Sequence, residues 1–293
     1  MHIPFTSLRA FAAVAQQGSF TLAAQALHLT QPAISKSVRE LEQLLETVLL
    51  ERRPRQVRLT EAGAALLEHA RAIFALEQAA LEDLRARRGL QKGRLALGAS
   101  TTIAAYWLPT YLARFAARHP GIALSLSSGN TARIAQQVLD GQVEVALVEG
   151  IVQEAGLACL PWHDEPLTLI APPGLEVDTE NLPGQVWVMR EQGSGTAQVV
   201  EDFLRRQGWP AVRRITVGSN TAIVRMVQSG AGVALVPRIM VESLSAQGAL
   251  KEVALPGGAV TRPLFWLRLH DRPASAAREA FEALLLAHDP VTP

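Results

Sequence analysis

The chain changes its hydrophobic period once, and that change limits what it can fold into. Up to about residue 90, apolar residues recur at helical spacing in segments of about ten residues. From about residue 94, short apolar runs alternate with helical stretches. The first part therefore reads as helix after helix, and the second as an alternating α/β region. The break falls at Arg85–Arg94, RARRGLQKGR, with five basic and no acidic side chains and Gly89 and Gly93 as helix stops. A length of 293 residues suits about two domains.

Composition narrows the class further. Lys plus Arg is 28 and Asp plus Glu is 27, a formal charge of +1, so any polyanion-binding claim must rest on local charge. Hydrophobic residues are 48% and charged residues 19%, which suits a folded globular chain. Cys159 is the single cysteine, which excludes an internal disulfide and any multi-cysteine metal site. Its expected place is as a small buried apolar side chain. No apolar run reaches bilayer length, and Arg9 interrupts the apolar start, so the opening reads as a first helix in a cytoplasmic protein.

In the first part, Thr6 or Ser7 is the expected cap of a helix whose buried stripe is Leu8, Phe11, Val14 and Ala15. Gly18 ends it. Ser19 or Thr21 then caps a second helix, and Thr30 a third, with Pro32 in its first turn and an end near Leu45. At about 100° per residue, Ile34, Val38, Leu41 and Leu45 of the third helix fall in one sector, with Pro32, Ser35, Lys36, Arg39 and Gln43 nearly opposite. That outer face carries hydroxyl, ammonium, guanidinium and amide groups, which bond phosphates and base edges in a DNA major groove. A solvated polar face is the plainer alternative.

Strand-like runs at Leu49–Glu51 and Gln56–Leu59 flank Arg52-Arg53-Pro54-Arg55. This hairpin reads as a wing with Arg52, Arg53 and Arg55 at its tip and Arg58 on the return arm. Residues 1–60 hold seven basic and four acidic side chains, the excess lying on the wing and outer helix face. From Thr60 to about Arg88 a single helical pattern runs for ~28 residues, roughly 42 Å. Leu66, Ala70, Ile73, Ala80 and Leu84 follow a coiled-coil seam that Glu77 interrupts, and Leu67, Phe74 and Leu81 form a second row. Two apolar rows on one helix point to a partner helix from a second subunit, with packing on its own domain as the alternative.

The stretch GSFTLAAQALHLTQPAISKSVRELEQLL followed by ERRPRQVRLTEAG resembles the N-terminal domain of LysR-type transcriptional regulators. The resemblance extends over essentially the whole chain, with the region from Gly93 similar to the start of the family's effector-binding domain. It implies DNA-binding roles for Thr30, Gln31, Pro32, Ser35, Lys36, Arg39, Arg52, Arg53 and Arg55. Glu46 stands where the family usually has glycine, and Leu50 where it usually has phenylalanine. The stretches GNTARIAQQVLDGQVEVALVEG and REQGSGTAQVVEDFL resemble the branch linked to carbon fixation and to sulfur metabolism.

The second part alternates strands near 95–99, 122–126, 144–148, 167–171, 186–190, 215–217, 233–236 and 264–269. Helices fall from Thr102, at Thr131–Asp140, and near 197–207, 221–229 and 275–287. In open α/β sheets a ligand sits at strand C-termini against helix N-termini. Four segments qualify: Ser100-Thr101-Thr102, Gly129-Asn130-Thr131, Glu191–Thr196 with Gly193 and Ser194, and Ser219-Asn220-Thr221. Each is also an ordinary N-cap sequence. Arg190, at a strand end, is placed to hold a carboxylate or phosphate in bidentate fashion, or to make a surface salt bridge.

An enzymatic reading lacks a constellation. Gly193-Ser194-Gly195 is not G-x-S-x-G, no phosphate-binding glycine motif is present, and the seven histidines are scattered. His163-Asp164-Glu165 is the one local acid–base cluster, expected in a loop where the chain crosses between lobes.

The expected architecture is α+β multidomain: a winged helix-turn-helix over 1–60, a linker and dimerisation helix over 61–91, and a two-lobed α/β effector domain over 92–293. The resemblance places 92–161 and 264–293 in lobe one and 162–263 in lobe two, a fold like that of periplasmic binding proteins. It implies a homodimer through the linker, assembling to a homotetramer on double-stranded DNA. A small anionic metabolite would be the effector, with RNA polymerase a further partner and no cofactor, metal or membrane. An enzyme or a solute receptor on the same two-lobed fold are the alternatives.

Overall fold

The computed structural model describes residues 2–53, 56–86, 93–177, 180–209, 212–255, 257–270 and 272–287. The chain divides into two units, Met1–Ala80 and Leu81–Pro293.

In the first unit α1 (Phe5–Gln17), α2 (Phe20–Ala26) and α3 (Gln31–Leu44) precede the antiparallel pair β1 (Leu50–Arg53) and β2 (Gln56–Leu59). Leu8, Phe11, Val14, Ile34, Val38 and Leu41 are buried together, so the apolar stripes of α1 and α3 face one core. Ser19 and Thr30 cap α2 and α3 through the Leu22 and Ala33 N–H groups. The expected cap of α1 is corrected. The helix starts at Phe5 after Pro4, and Ser7 lies buried within it.

Two helix ends share one turn. After α3 the Glu46 N–H bonds to the Gln43 carbonyl and the Thr47 N–H to the Glu42 carbonyl, with Glu46 at φ 51°. After α2 the same pattern ends at His28, φ 54°. This closing turn needs a left-handed residue, usually glycine.

α4 (Glu61–Ala86) follows as a single 26-residue helix. Leu67 and Ala70 are buried in the first unit's own core, with Leu66 and Phe74 packed on it. The second apolar row is thus partly used within the unit, and Ile73, Leu76 and Leu81 are exposed. Glu77 interrupts the seam because it pairs with Arg9, 2.5 Å away, whose guanidinium also lies over the Phe5 and Phe74 rings. Gly63 admits the Leu49 carbonyl oxygen, which would stand 2.1 Å from a Cβ at that position.

The second unit is built on a seven-stranded sheet, ordered β10 (Lys251–Val253), β6 (Leu157–Ala171), β11 (Val260–Leu269), β5 (Val145–Glu149), β3 (Gly93–Ser100), β4 (Ile122–Gly129), with β9 (Ala234–Pro237) also on β6. β3, β4 and β5 run parallel, and β11 is antiparallel to β5 and β6. β7 (Val186–Arg190) and β8 (Arg213–Val217) form a separate parallel pair, bridged to β9's neighbourhood through Trp187 and Val233. Around β3 and β5 pack α5 (Leu108–Arg118), α6 (Thr131–Leu139) and α10 (Ala276–Leu286). Around β6, β7 and β9 pack α7 (Gly195–Arg206) and α8 (Asn220–Gln228). Each group has its own apolar core, and β6 and β11 run through both. α9 (Glu242–Ala246) is a short surface helix.

Four expectations need correction. The strand expected at 167–171 begins ten residues earlier, because β6 carries Pro161 and Pro166 in its pairing with β11. His163, Asp164 and Glu165 are therefore strand residues, not a loop. The helix expected from Thr102 opens with a π-helical turn, Ile103–Trp107, before α5. Cys159 on β6 is half-buried rather than enclosed.

Candidate functional site

The outer face of α3 is the first candidate surface. Gln31, Pro32, Lys36 and Arg39 are exposed, and Ser35 is half-buried beside them. These residues line one shallow groove with Glu40 and Gln43. Gln31 Nε2 donates to Ser35 Oγ at 3.2 Å, and Lys36 lies 3.7 Å from Glu40 in an exposed pair. Such a pair contributes little and leaves the ammonium available to a phosphate. Thr30 is occupied as the cap. Below this face Glu42 Oε1 accepts the Leu49 and Leu50 N–H groups at 2.9 and 3.2 Å, which ties α3 to the hairpin. Arg52 and Arg53 stand in β1, register partners of Val57 and Gln56, rather than at the tip. Arg55 lies outside the described residues.

The second candidate site is where the strand ends of the larger unit meet. Here the four N-cap segments separate. Asn130 caps α6 through the Arg133 N–H (3.0 Å), and Ser219 caps α8 through Ala222 (3.2 Å). Ser194 precedes α7 but makes no cap bond, and Thr102 makes none before the π turn. Ser100 and Ser194 are 1% and 4% exposed, and among the described residues their hydroxyls have no hydrogen-bond partner. Thr101 is half-buried.

The remaining residues form a buried network. Thr131 Oγ1 donates to the Glu149 carbonyl (3.0 Å) and accepts from the Gly195 N–H (3.2 Å). Gly195 is required by packing, since a Cβ there would stand 1.9 Å from the same carbonyl oxygen. Asn220 Nδ2 donates to Thr102 Oγ1 at 2.9 Å and Thr196 Oγ1 at 3.4 Å.

At its centre lies Arg262, fully buried. Its Nε donates to Glu165 Oε2 (2.6 Å), and its Nη1 to Glu149 Oε1 (3.0 Å) and Thr196 Oγ1 (2.5 Å). Trp107 Nε1 donates to the other Glu165 oxygen at 2.6 Å. The Arg262–Glu149–Glu165 group was not among the sequence candidates; Glu165 stood only in the acid–base cluster. The signal that pointed to it was one arginine in the apolar run VTRPLFWL.

Arg190 is a further buried cation, and it does not make a surface pair. Its Nε and Nη2 bind both oxygens of Glu191 at 2.8 and 2.9 Å, and among the described residues its Nη1 has no partner. The bidentate edge expected to meet a ligand is thus taken by an internal carboxylate. The Arg190 guanidinium holds the Glu191 carboxyl below its usual value, outweighing partial burial, and the Asn130 amide adds in the same direction. Arg190, Thr131, Gly193 and Ser194 line a cavity of about 720 Å³ between α6 and α7. Gly193 is at φ 86°, and its carbonyl accepts the Ala132 N–H at 3.1 Å.

Among the described residues no helix is long and apolar enough to cross a membrane, and no group of His, Cys, Asp and Glu is arranged to hold a metal ion.

Residues 5–64 match the bacterial regulatory helix-turn-helix of the lysR family, and residues 88–290 match the LysR substrate binding domain. The chain belongs to the LysR family of DNA-binding transcriptional regulators. It is 32% identical to the RuBisCO operon transcriptional regulator of Allochromatium vinosum, over 98% of this chain and 97% of that protein. It is also 32% identical to CfxR of Cupriavidus necator, over 96% and 90%. CysL of Bacillus subtilis is 30% identical over 79% of both chains.

Similar solved structures include full-length CbnR complexed with its target DNA, at 25% identity and TM-score 0.60, covering 97% of this chain and 99% of that one. The CcmR regulatory domain of Synechocystis PCC6803 in complex with 2-PG matches at 25% and TM-score 0.60, covering 67% of this chain and 97% of that one. The matched domains and relatives are those of transcriptional regulators, not enzymes.

Proposed function

We propose that this regulator reads operator DNA with the outer face of α3 and responds to a small oxyanion held between the two cores of its effector domain. Gln31 and Ser35 read base edges, Lys36 and Arg39 hold phosphates, and the arginines of the 52–55 hairpin reach the flanking backbone. The observation that carries the effector reading is the pair of buried, unpartnered hydroxyls of Ser100 and Ser194. A buried polar group without a partner costs about 1–3 kcal/mol, so a ligand that bonds both gains that difference. Thr102, Thr131, Thr196, Asn130 and Asn220 hold the walls, and Arg190 Nη1 adds one free donor. The complex of CcmR's regulatory domain with 2-PG supports a small ligand in a domain of this kind.

The chain works as a cytoplasmic homodimer joined through α4, with effector domains pairing further into a tetramer. The exposed Ile73, Leu76 and Leu81 support the first step. Ligand shifts the closure of the two lobes and so the geometry presented to DNA and RNA polymerase, through its differential affinity for the two arrangements.

The test is thermal unfolding of the full-length protein against sugar phosphates, phosphoenolpyruvate, O-acetylserine, sulfate, nicotinamide cofactors and aromatic carboxylates. A ligand at a hundred times its Kd stabilises by about 2.7 kcal/mol. The Ser100→Ala/Ser194→Ala variant removes no side-chain hydrogen bond found among the described residues. It should keep its ligand-free Tm and lose the shift; a shift retained in full would refute the assignment.

A further inference from the structure

The network around Thr196 contains more acceptor than it uses. Thr196 Oγ1 accepts from Arg262 and Asn220 and donates to Glu149 Oε1, which exhausts its capacity. Glu149 Oε1 is filled by Arg262 and Thr196, but among the described residues Glu149 Oε2 has no partner, and the residue is 1% exposed. Asn220 Oδ1, on the other side of the same threonine, is likewise without a partner. A carboxylate oxygen can only accept, and Arg262 Nη2, which also lacks a hydrogen bond, is held 2.5 Å from Glu165 Oε2 in the ion pair, so Glu149 Oε2 is satisfied by a donor brought to it.

Charge points the same way. Glu149 and Glu165 share the one Arg262 guanidinium, which leaves the group formally one negative charge in excess. Arg190 does not offset this, because Glu191 already neutralises it. The Glu149 side chain lies against the first turn of α7, where its Cγ would stand 2.7 Å from a Cβ on Gly195, the residue that follows Ser194 in the chain.

We infer that Glu149 is a specificity-determining residue of the effector site, and that the site takes an oxyanion carrying its own proton while rejecting one without. This inference rests on the oxyanion reading above. Ser100 and Ser194 serve the ligand's bare oxygens. Glu149 Oε2 accepts from its hydroxyl. A fully deprotonated tetrahedral anion would set a bare oxygen against a fixed, buried, negatively charged oxygen. Sites that hydrogen-bond a substrate hydroxyl discriminate strongly against the analogue lacking it.

The experiment is isothermal titration calorimetry of the full-length protein at pH 7 with inorganic phosphate and arsenate, which keep a proton, and with sulfate and selenate, which do not. The expected result is binding of phosphate and arsenate at least about tenfold tighter than sulfate and selenate. In Glu149→Gln, whose amide can donate, the phosphate-to-sulfate ratio should fall toward one. Sulfate binding as tightly as phosphate in the unaltered protein would overturn the inference while leaving the oxyanion site standing. A ratio unchanged in a folded Glu149→Gln would also overturn it. Failure of all four anions to bind would overturn the inference, and the oxyanion reading would fall with it only if the organic phosphates and carboxylates of the unfolding panel also gave no shift. The unaltered protein decides the matter even if the variant does not fold.

Discussion

Arg262 and Glu165 are register partners on adjacent antiparallel strands, both essentially inaccessible to water, with the guanidinium Nε 2.6 Å from the carboxylate. Taking Arg262 away strands two buried carboxylates. Arg262→Met should therefore destabilise the effector domain by about 3–5 kcal/mol, whereas replacing all three charged residues with apolar ones of similar volume should recover most of that loss. Urea unfolding of the full-length variants measures both, and a mild single-variant effect would contradict the burial of the pair.

Glu46 closes α3 in a conformation that an L-residue adopts at a cost of roughly 1–2 kcal/mol and glycine adopts freely. Glu46→Gly should stabilise the first unit by about 0.5–1 kcal/mol. Gly63→Ala should do the opposite, by about 1–3 kcal/mol, because the Leu49 carbonyl occupies the space. Denaturant midpoints of the two variants should move in opposite directions.

On DNA, Lys36→Ala and Arg39→Ala should each weaken binding uniformly across sequences and reduce the slope of log affinity against log salt by about 0.9. Gln31→Ala and Ser35→Ala should leave that slope nearly unchanged and relax base preference at one position, by about 1–3 kcal/mol. Fluorescence anisotropy at several salt concentrations, on matched and scrambled duplexes, separates the two behaviours.

Leu76 is half exposed on α4, between Ile73 and Leu81. Leu76→Glu should lower the dimer fraction seen by sedimentation while leaving the first unit folded, since Leu76 lies outside that unit's core. A variant that sediments like the parent would place the subunit contact elsewhere.

Glu191 supplies the pH dependence. Its folded pKa is depressed by Arg190, so its contribution to stability is present above the ordinary carboxylate value of 4.5 and is lost as pH falls through the lower folded value. Glu191→Gln lacks that contribution. The Tm advantage of the parent over the variant should hold near neutrality and shrink below pH 4.5. An advantage that grows on acidification would reverse the sign.

The two-faced character of α3 was legible because it buries one sector and exposes the other, and a wheel needs only local sequence. Ser194 and Ser219 show the limit of that approach. Both precede a helix in near-identical contexts, yet Ser219 caps and Ser194 does not, since Gly195 sits hard against Glu149. β6 was seen only at its end, because Pro161, Pro166 and the charged run between them look unlike a strand. Arg262 joins Glu149 and Glu165 across 113 and 97 residues, and only strand register brings them together.

β6 spans fifteen residues, and with β11 it supplies pairing surface to both apolar cores of the effector domain. The one seven-stranded sheet is shared between them. The domain should therefore unfold as one unit. The slowest-exchanging amides of the two cores should report one shared opening event, and exchange of a lobe between relatives must carry both strands along or leave two open edges behind.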